Sequence, residues 1–375
     1  MSEWPMVKLG EYCDVIMGQA PKGIDVNQDL MGLPLIAGAG DFSSTGVEVS
    51  KWTEKPTKTC IINDIILSVR ATVGTYRFAD RDYCLGRGVA ALRAKDNLDQ
   101  KYLSFVIDFY RTKLLSAARG ATFLQISKAD IETLMIPLPP LGEQKRIAEI
   151  LGGAAEAEQH AQDTLELLNE VVKSSFYTFC GIPDHFERRK KLGEIAIVAT
   201  GNTPPRKDPS NYGSYIEWIK SDNLGSIFPT PASEFLSEDG VKRGRVAAPG
   251  SLLMTCIAGS IKSIGKCSVV NREVAFNQQI NSIKPVNNED LYYLYLLFYV
   301  APYLVQRRST GGLKGIVKKS SLEMCEIPWP ERKVRQMIGT FCQEWINCRL
   351  LVMRKLSLLQ ELQKSLATRA FAGLL

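Results

Sequence analysis

Two long stretches of this chain place apolar residues at helical spacing. From Ile147, the first puts Leu151, Ala154, Ala161, Leu165, Leu168, Val172, Phe176 and Phe179 on one stripe. The second runs from Ile338 through Phe341, Trp345, Cys348, Val352, Leu356, Leu359, Leu362 and Leu366. Both are the pattern of an amphipathic helix. Each lies behind a proline clamp, Ile136-Pro137-Leu138-Pro139-Pro140 or Ile327-Pro328-Trp329-Pro330, where the backbone is held extended. Each stops at a glycine, Phe179-Cys180-Gly181 or Phe371-Ala372-Gly373. Gly152-Gly153 predicts a kink rather than an end. At 1.5 Å per residue, about forty residues make a rod of roughly 60 Å. So narrow a stripe has to be covered, and the matched clamps predict that the two helices pair as a coiled coil. A chain that returns on itself favours the antiparallel arrangement.

Ahead of each long helix the pattern is of short β-prone runs separated by Gly, Pro, Asn and Asp, so it occurs twice. Lys8-Leu9-Gly10-Glu11, a β-prone run to Ile16 and Gly18-Gln19-Ala20-Pro21-Lys22 open the first copy. Lys191-Leu192-Gly193-Glu194, a run to Val198 and Gly201-Asn202-Thr203-Pro204-Pro205-Arg206-Lys207 open the second. Ile65–Ser68 then matches Leu252–Thr255 as a buried strand, Leu103–Leu115 matches Leu291–Val305 as a helix, and Gly120–Ser127 matches Gly311–Lys318 as a glycine-bearing loop. A period of about 185 residues is too long for a solenoid and means a duplicated domain. The predicted class is α+β, with two duplicated globules separated by two long helices and an approximate two-fold symmetry. The expected divisions are 1–140, the central helix 141–181, 182–330, and the C-terminal helix 331–375.

Composition narrows the picture. With 375 residues there is room for two or three cores. No run of about 18 apolar residues predicts a membrane span. Met1–Gly10 has neither a basic nor an apolar leader region, so a cytoplasmic chain is expected. Nine cysteines stand singly without a C-x-x-C pair, and His160 and His185 lie near no cysteine pair; free thiols and no metal site are expected. The net charge of +6 is mildly basic, compatible with a nucleic-acid partner without demanding one.

The search for catalytic chemistry leaves no catalytic residue and no cofactor site. Gly259-Ser260-Ile261-Lys262-Ser263-Ile264-Gly265-Lys266-Cys267 resembles a phosphate loop but has the wrong glycine spacing and Cys in place of the magnesium-holding hydroxyl. Asn202-Thr203-Pro204-Pro205 lacks the Asn-Pro-Pro-aromatic order of an amino-methyltransferase site. With two histidines, His160 in the central helix and His185 just past it, a Ser/His or Cys/His centre inside either globule is not expected. The pairs Asp80/Asp82 and Glu238/Asp239 have no accompanying motif and read as solvated surface.

Binding chemistry is more evident. Gln306–Lys319 carries Arg307, Arg308, Lys314, Lys318 and Lys319 around Gly311, Gly312 and Gly315, with no acid, so that backbone and cations can approach a phosphate closely. Its first-copy counterpart, Arg119–Lys128, offers Thr122, Gln125, Ser127 and Lys128. The turn after the first strand supplies Gln19 and Lys22 in one copy and Asn202, Thr203, Arg206 and Lys207 in the other. Arg70, Thr72 and Arg87 in the first copy, and Lys220, Lys262, Asn277 and Gln278 in the second, complete the candidate set.

This layout resembles the specificity subunit of type I restriction-modification systems. The carriers are Lys8-Leu9-Gly10-Glu11, the run Pro137-Leu138-Pro139-Pro140-Leu141-Gly142-Glu143-Gln144-Lys145-Arg146-Ile147, the two helix ends and the duplication itself. The second copy departs from the run, reading Trp329-Pro330-Glu331-Arg332-Lys333-Val334-Arg335-Gln336-Met337-Ile338. The resemblance implies two target-recognition domains that read the halves of a split sequence in double-stranded DNA, with the helices as the ruler for the gap. It implies a chain without activity of its own, assembled with two methyltransferase subunits, which carry S-adenosylmethionine, and through the complex with restriction subunits. Three other readings stay open: a coiled-coil scaffold for proteins, an enzyme of unfamiliar type, and a similar subunit of a methylation-only complex.

Overall fold

The computed structural model describes residues 4–43, 46–120, 124–310 and 315–375. Thr122, Gly311, Gly312 and Lys314, named above as loop residues, fall outside these. The chain divides into two compact units, one of Met1–His160 with Lys355–Leu375 and the other of Ala161–Arg354. Each unit therefore contains one α+β globule and a segment of both long helices.

The two globules repeat one topology. In the first unit an antiparallel sheet has the strand order Cys13–Met17, Val89–Ala94, Ile65–Ser68, Tyr76–Phe78. In the second the order is Ala196–Thr200, Ile280–Pro285, Leu252–Thr255, Cys267–Val269. The central strands Ile65–Ser68 and Leu252–Thr255 are buried at every position, which is why they read as uninterrupted apolar runs. A second sheet with one parallel pair, five-stranded in the first unit and four-stranded in the second, accompanies each: Leu33–Ile36 runs parallel to Tyr83–Leu85, and Tyr212–Ile219 to Val274–Phe276. Helix Gln100–Phe109 covers the first sheet, capped by Asp99, whose carboxylate accepts Tyr102 N–H at 2.8 Å. The apolar helix Leu291–Val300 does the same in the second. The helices expected over 103–115 and 291–305 are both interrupted, at Tyr110 and at Ala301-Pro302; at the second site proline removes a helical donor.

Each proline clamp begins as a strand. Met135–Pro137 pairs antiparallel with Met6–Lys8, and Glu326–Pro328 with Arg189–Lys191. Tyr102 donates its hydroxyl to the Pro137 carbonyl at 2.9 Å, and Tyr293 donates to the Pro328 carbonyl at 2.6 Å. Gln144 then locks the helix start: its amide donates to the carbonyls of Asn97 (3.0 Å) and Pro139 (2.8 Å) and its oxygen accepts Asp99 N–H at 2.8 Å. In the second unit Arg335 holds the same station, with Nε on Asp290 and Nη1 on the Pro330 carbonyl, both at 2.7 Å, and its guanidinium 4.0 Å from the centre of the Trp329 ring. The divergence of the second motif from the first is thus a neutral lock exchanged for a buried ion pair.

The central helix is Leu141–Cys180 and the C-terminal helix Arg332–Ala372. The central helix passes Gly152-Gly153 without a break. Gly181 (φ 68) and Gly373 (φ 82) adopt the left-handed conformation that closes each helix. Within the first unit the segments run antiparallel: Arg146 donates to the Leu375 carbonyl at 2.9 Å and Gln360 to Glu158 at 3.0 Å. Within the second, Trp345 donates to the Leu168 carbonyl at 3.0 Å, Arg349 to Asn169 at 2.8 Å, and the Phe179 and Phe341 rings lie 5.7 Å apart. Burial is deepest where a segment meets its globule, as for Ile147, Val172, Phe176 and Ile338. Leu362 and Cys348, placed on the stripe by periodicity, are exposed, because two helices side by side cover only a seam. Leu167 (60 % exposed), Leu351 (70 %) and Leu358 (56 %) are further apolar residues in water.

At the chain ends, Trp4 donates its indole N–H to the Ala370 carbonyl at 3.0 Å. Phe371 lies in the core of the first unit, edge-on to Tyr102 at 5.8 Å, with the exposed Phe109 ring tilted against it at 4.7 Å. All nine cysteines are free, and burial pushes several thiols, including Cys13 and Cys256, up to about 12. Among the described residues no helix is long and apolar enough to cross a membrane.

Candidate nucleic-acid interface

In each unit four loops meet beyond the ends of the four-stranded antiparallel sheet. The first follows the opening strand, at Gly18 and Gly201. Gly18 N–H donates to the Val89 carbonyl and Gln19 N–H to Leu85; Gly201 and Asn202 repeat this with Ile280 and Phe276. A Cβ at Gly18 would stand 2.1 Å from the Gly86 carbonyl oxygen, and one at Gly201 2.2 Å from that of Asn277, so only glycine lets this turn press on its neighbour. The second loop is Gly86-Arg87-Gly88, matched by Asn277-Gln278-Gln279. The third comes from the buried central strand, which is tied to the second by Val69 N–H on Gly88 and by Cys256 N–H on Gln279. Against it lies the glycine-bearing loop, through Ile126 N–H on Val69 and Val317 N–H on Cys256. The backbone thus aligns the two copies residue by residue.

In the first unit this places Arg70, Arg87, Arg119, Gln125 and Ser127 around one groove, which continues past Thr72 and Ala20. Arg70 pairs antiparallel with Gln125, and Gln125 with Arg119. Directly opposite residues share a face of a ladder, so the three side chains form a row. Ala71, between Arg70 and Thr72, has φ 59, a conformation costing a non-glycine residue about 1–2 kcal/mol. It is held by Ala71 N–H on the Leu124 carbonyl at 2.9 Å. Among the described residues Arg70, Arg87 and Arg119 form no ion pair. Ser127 is engaged: its hydroxyl and Asp130 cap the helix Lys128–Glu132 reciprocally, holding the Asp130 carboxyl below its ordinary range. Lys128 pairs loosely with Glu132 at 3.4 Å. Gln19 and Lys22 are exposed on the adjoining turn.

The second unit treats its cations differently. Lys220 and Arg206 both pair with Glu234, Arg206 at 2.9 Å, and both stand over the Trp218 ring. Hydrogen bonding from Lys220, reinforced by Arg206, keeps the Glu234 carboxyl below its ordinary value. Arg307 is clamped in bidentate fashion by Asp184 at 2.8 and 2.6 Å, and that contact lowers the Asp184 pKa. Asn277 is buried and spends its amide on Gln279. Lys319 pairs with Glu323 at 3.5 Å, whereas Lys207, Lys262, Gln278, Arg308 and Lys318 are exposed and Thr203 is half-buried. At the stations of Arg70, Gln125 and Arg119 stand Ile257, Ile316 and Thr310, paired in the same order. Sequence reasoning did not select Arg119, Ile257, Thr310 or Ile316; the internal alignment fixes them only once the ladders are known. Among the described residues no group of three His, Cys, Asp or Glu side chains is disposed to hold a metal.

The family model for the type I restriction modification DNA specificity domain matches twice, over residues 1–164 and 183–360. The MjaVIII specificity subunit of a type I restriction enzyme from Methanocaldococcus jannaschii is 24% identical over 328 residues, covering 79% of this chain and 75% of that protein. The MjaIX specificity subunit of the same organism is 31% identical over 159 residues, covering 40% of this chain and 36% of the relative. A third relative there, described as the MjaX specificity subunit, is 36% identical over 152 residues, and the match spans only 36% of its length. In fold, the crystal structure of a type I restriction-modification S subunit from M. genitalium superposes with a TM-score of 0.63 at 16% identity, covering 99% of this chain and 96% of that one. With the family model matched over both halves, the chain belongs to the type I restriction-modification DNA specificity family.

Proposed function

We propose that this chain is the sequence-reading subunit of a type I restriction-modification assembly, without catalytic activity of its own. The globules within 1–140 and 182–330 would each read one half of a split target in double-stranded DNA, and the long helices would set the gap between the halves. The observation that carries this reading is the groove of the first unit. There Arg70, Arg87 and Arg119 converge beside Asp130, exposed and, among the described residues, without ion pairs, at the place the duplicated plan repeats in the second unit. Unpaired arginines in a groove suit phosphates and base edges alike. The long helices would also dock the methyltransferase subunits of the assembly.

Thr122 and Lys314, outside the described residues, stay in the proposed contact set with Lys22, Thr72, Lys207, Lys262, Arg308 and Lys318. Asn277 leaves it, because its amide is spent. Arg206, Lys220 and Arg307 join DNA only by giving up a carboxylate.

Co-expression with the neighbouring methyltransferase, followed by genome-wide mapping of methylated adenines, tests the proposal. The expected result is a motif of two fixed halves and a fixed gap. A soluble, assembled complex that methylates nothing would move the reading to a protein-binding scaffold.

A further inference from the structure

The aligned ladders set two rows of side chains at the same station of the duplicated fold. In the first unit the row is Arg70, Gln125, Arg119; in the second it is Ile257, Ile316, Thr310. In the neighbouring loop the cation Arg87 corresponds to the neutral, polar Gln278. The first row is thus made of hydrogen-bond donors, two of them cationic; the second is two isoleucines and a threonine, all branched and presenting methyl groups, with the Thr310 hydroxyl turned to the Ile316 carbonyl at 3.4 Å. Both are accessible: Arg70, Gln125, Arg119 and Thr310 are exposed, and Ile257 and Ile316 are half-buried.

Each row has its own complement on a base edge. A guanidinium matches the O6 and N7 acceptors of guanine, whereas an aliphatic side chain meets the C5-methyl of thymine. We propose that the two units read their half-sites by opposite chemistry. The first fixes guanine through Arg70, Arg87 and Arg119; the second selects thymine by methyl contact with Ile257, Ile316 and Thr310. This rests on the DNA-reading function proposed above and adds to it which base each half must contain. The left-handed Ala71 fits the assignment, since it turns the chain sharply between Arg70 and Thr72 at the groove edge.

The test uses the chain assembled with its methyltransferase and duplexes carrying the mapped motif. The half whose recognition changes when Arg70, Arg87 and Arg119 are all replaced by Gln is assigned to the first unit. Replacing guanine by 7-deazaguanine there removes the N7 acceptor and is expected to weaken binding about tenfold per contacted base. Replacing thymine by uracil in the other half deletes only a methyl group and is expected to weaken binding about fourfold. That uracil penalty should vanish in an Ile257→Ala, Ile316→Ala variant. A first half without guanine, a second half without thymine, or indifference to both analogues overturns the inference while leaving a split-motif reader intact. Absence of any split motif overturns the function itself.

Discussion

Single side chains in the second unit decide how much positive charge is free at the loops that correspond to the first unit's groove. Glu234 holds both Lys220 and Arg206, and those cations also lie over Trp218. A phosphate has to compete with that carboxylate, and such competition lowers affinity for DNA of any sequence. Replacing Glu234 by Gln should strengthen binding to random duplex and steepen its salt dependence by about one to two phosphate equivalents. Titration of the assembled complex between low and moderate salt would show it, and an unchanged slope would place both cations away from DNA. None of this was legible in the sequence. Lys220 and Arg206 stand as plain cations there, and their acid lies 14 and 28 positions on. Arg307 and Asp184 are farther apart still. Asn277 is equally opaque, because burial rather than residue type removes it from the surface.

Among the elements, the starts of the long helices are the best-determined joints. Gln144 makes three hydrogen bonds from a site 1 % exposed. Ala at this position would strand one N–H and two carbonyls in the interior, each costing about 1–3 kcal/mol if no water reaches it. Gln144→Ala should therefore lower the denaturation midpoint of the first unit clearly, and a midpoint unchanged in urea would mean the joint repacks without loss. The clamps, stripes and glycine stops were readable because each is a local pattern: proline, a 3.6-residue period, a terminal glycine. The strand character of the clamps was not, since Met6–Lys8 and Arg189–Lys191 pair with segments more than 120 residues distant. The rows at the groove were hidden for the same reason: their members come from separate loops that only the ladders align.

For the molecule as a whole, both long helices matter to both units, for each helix gives one segment to each. If the helices act as the ruler, a turn added to both at matched positions lengthens the path by about 5.4 Å. That should widen the recognised gap by roughly one to two base pairs at 3.4 Å each, with both halves of the motif preserved. Methylation mapping of the lengthened chain would check this, and an altered half would count against the ruler. The duplication was legible because matching motifs recur at one spacing. The division of each helix between units was not, because it depends on which segment packs on which globule.

The hydrogen bond from Trp4 to Ala370 joins the two ends of the sequence within the first unit. Residues 366 positions apart are thus stitched together, and in chain order the second unit is an insertion within the first. The first unit is therefore complete only after the whole of the second has been made, so its final seam, Trp4 on Ala370, closes last during synthesis.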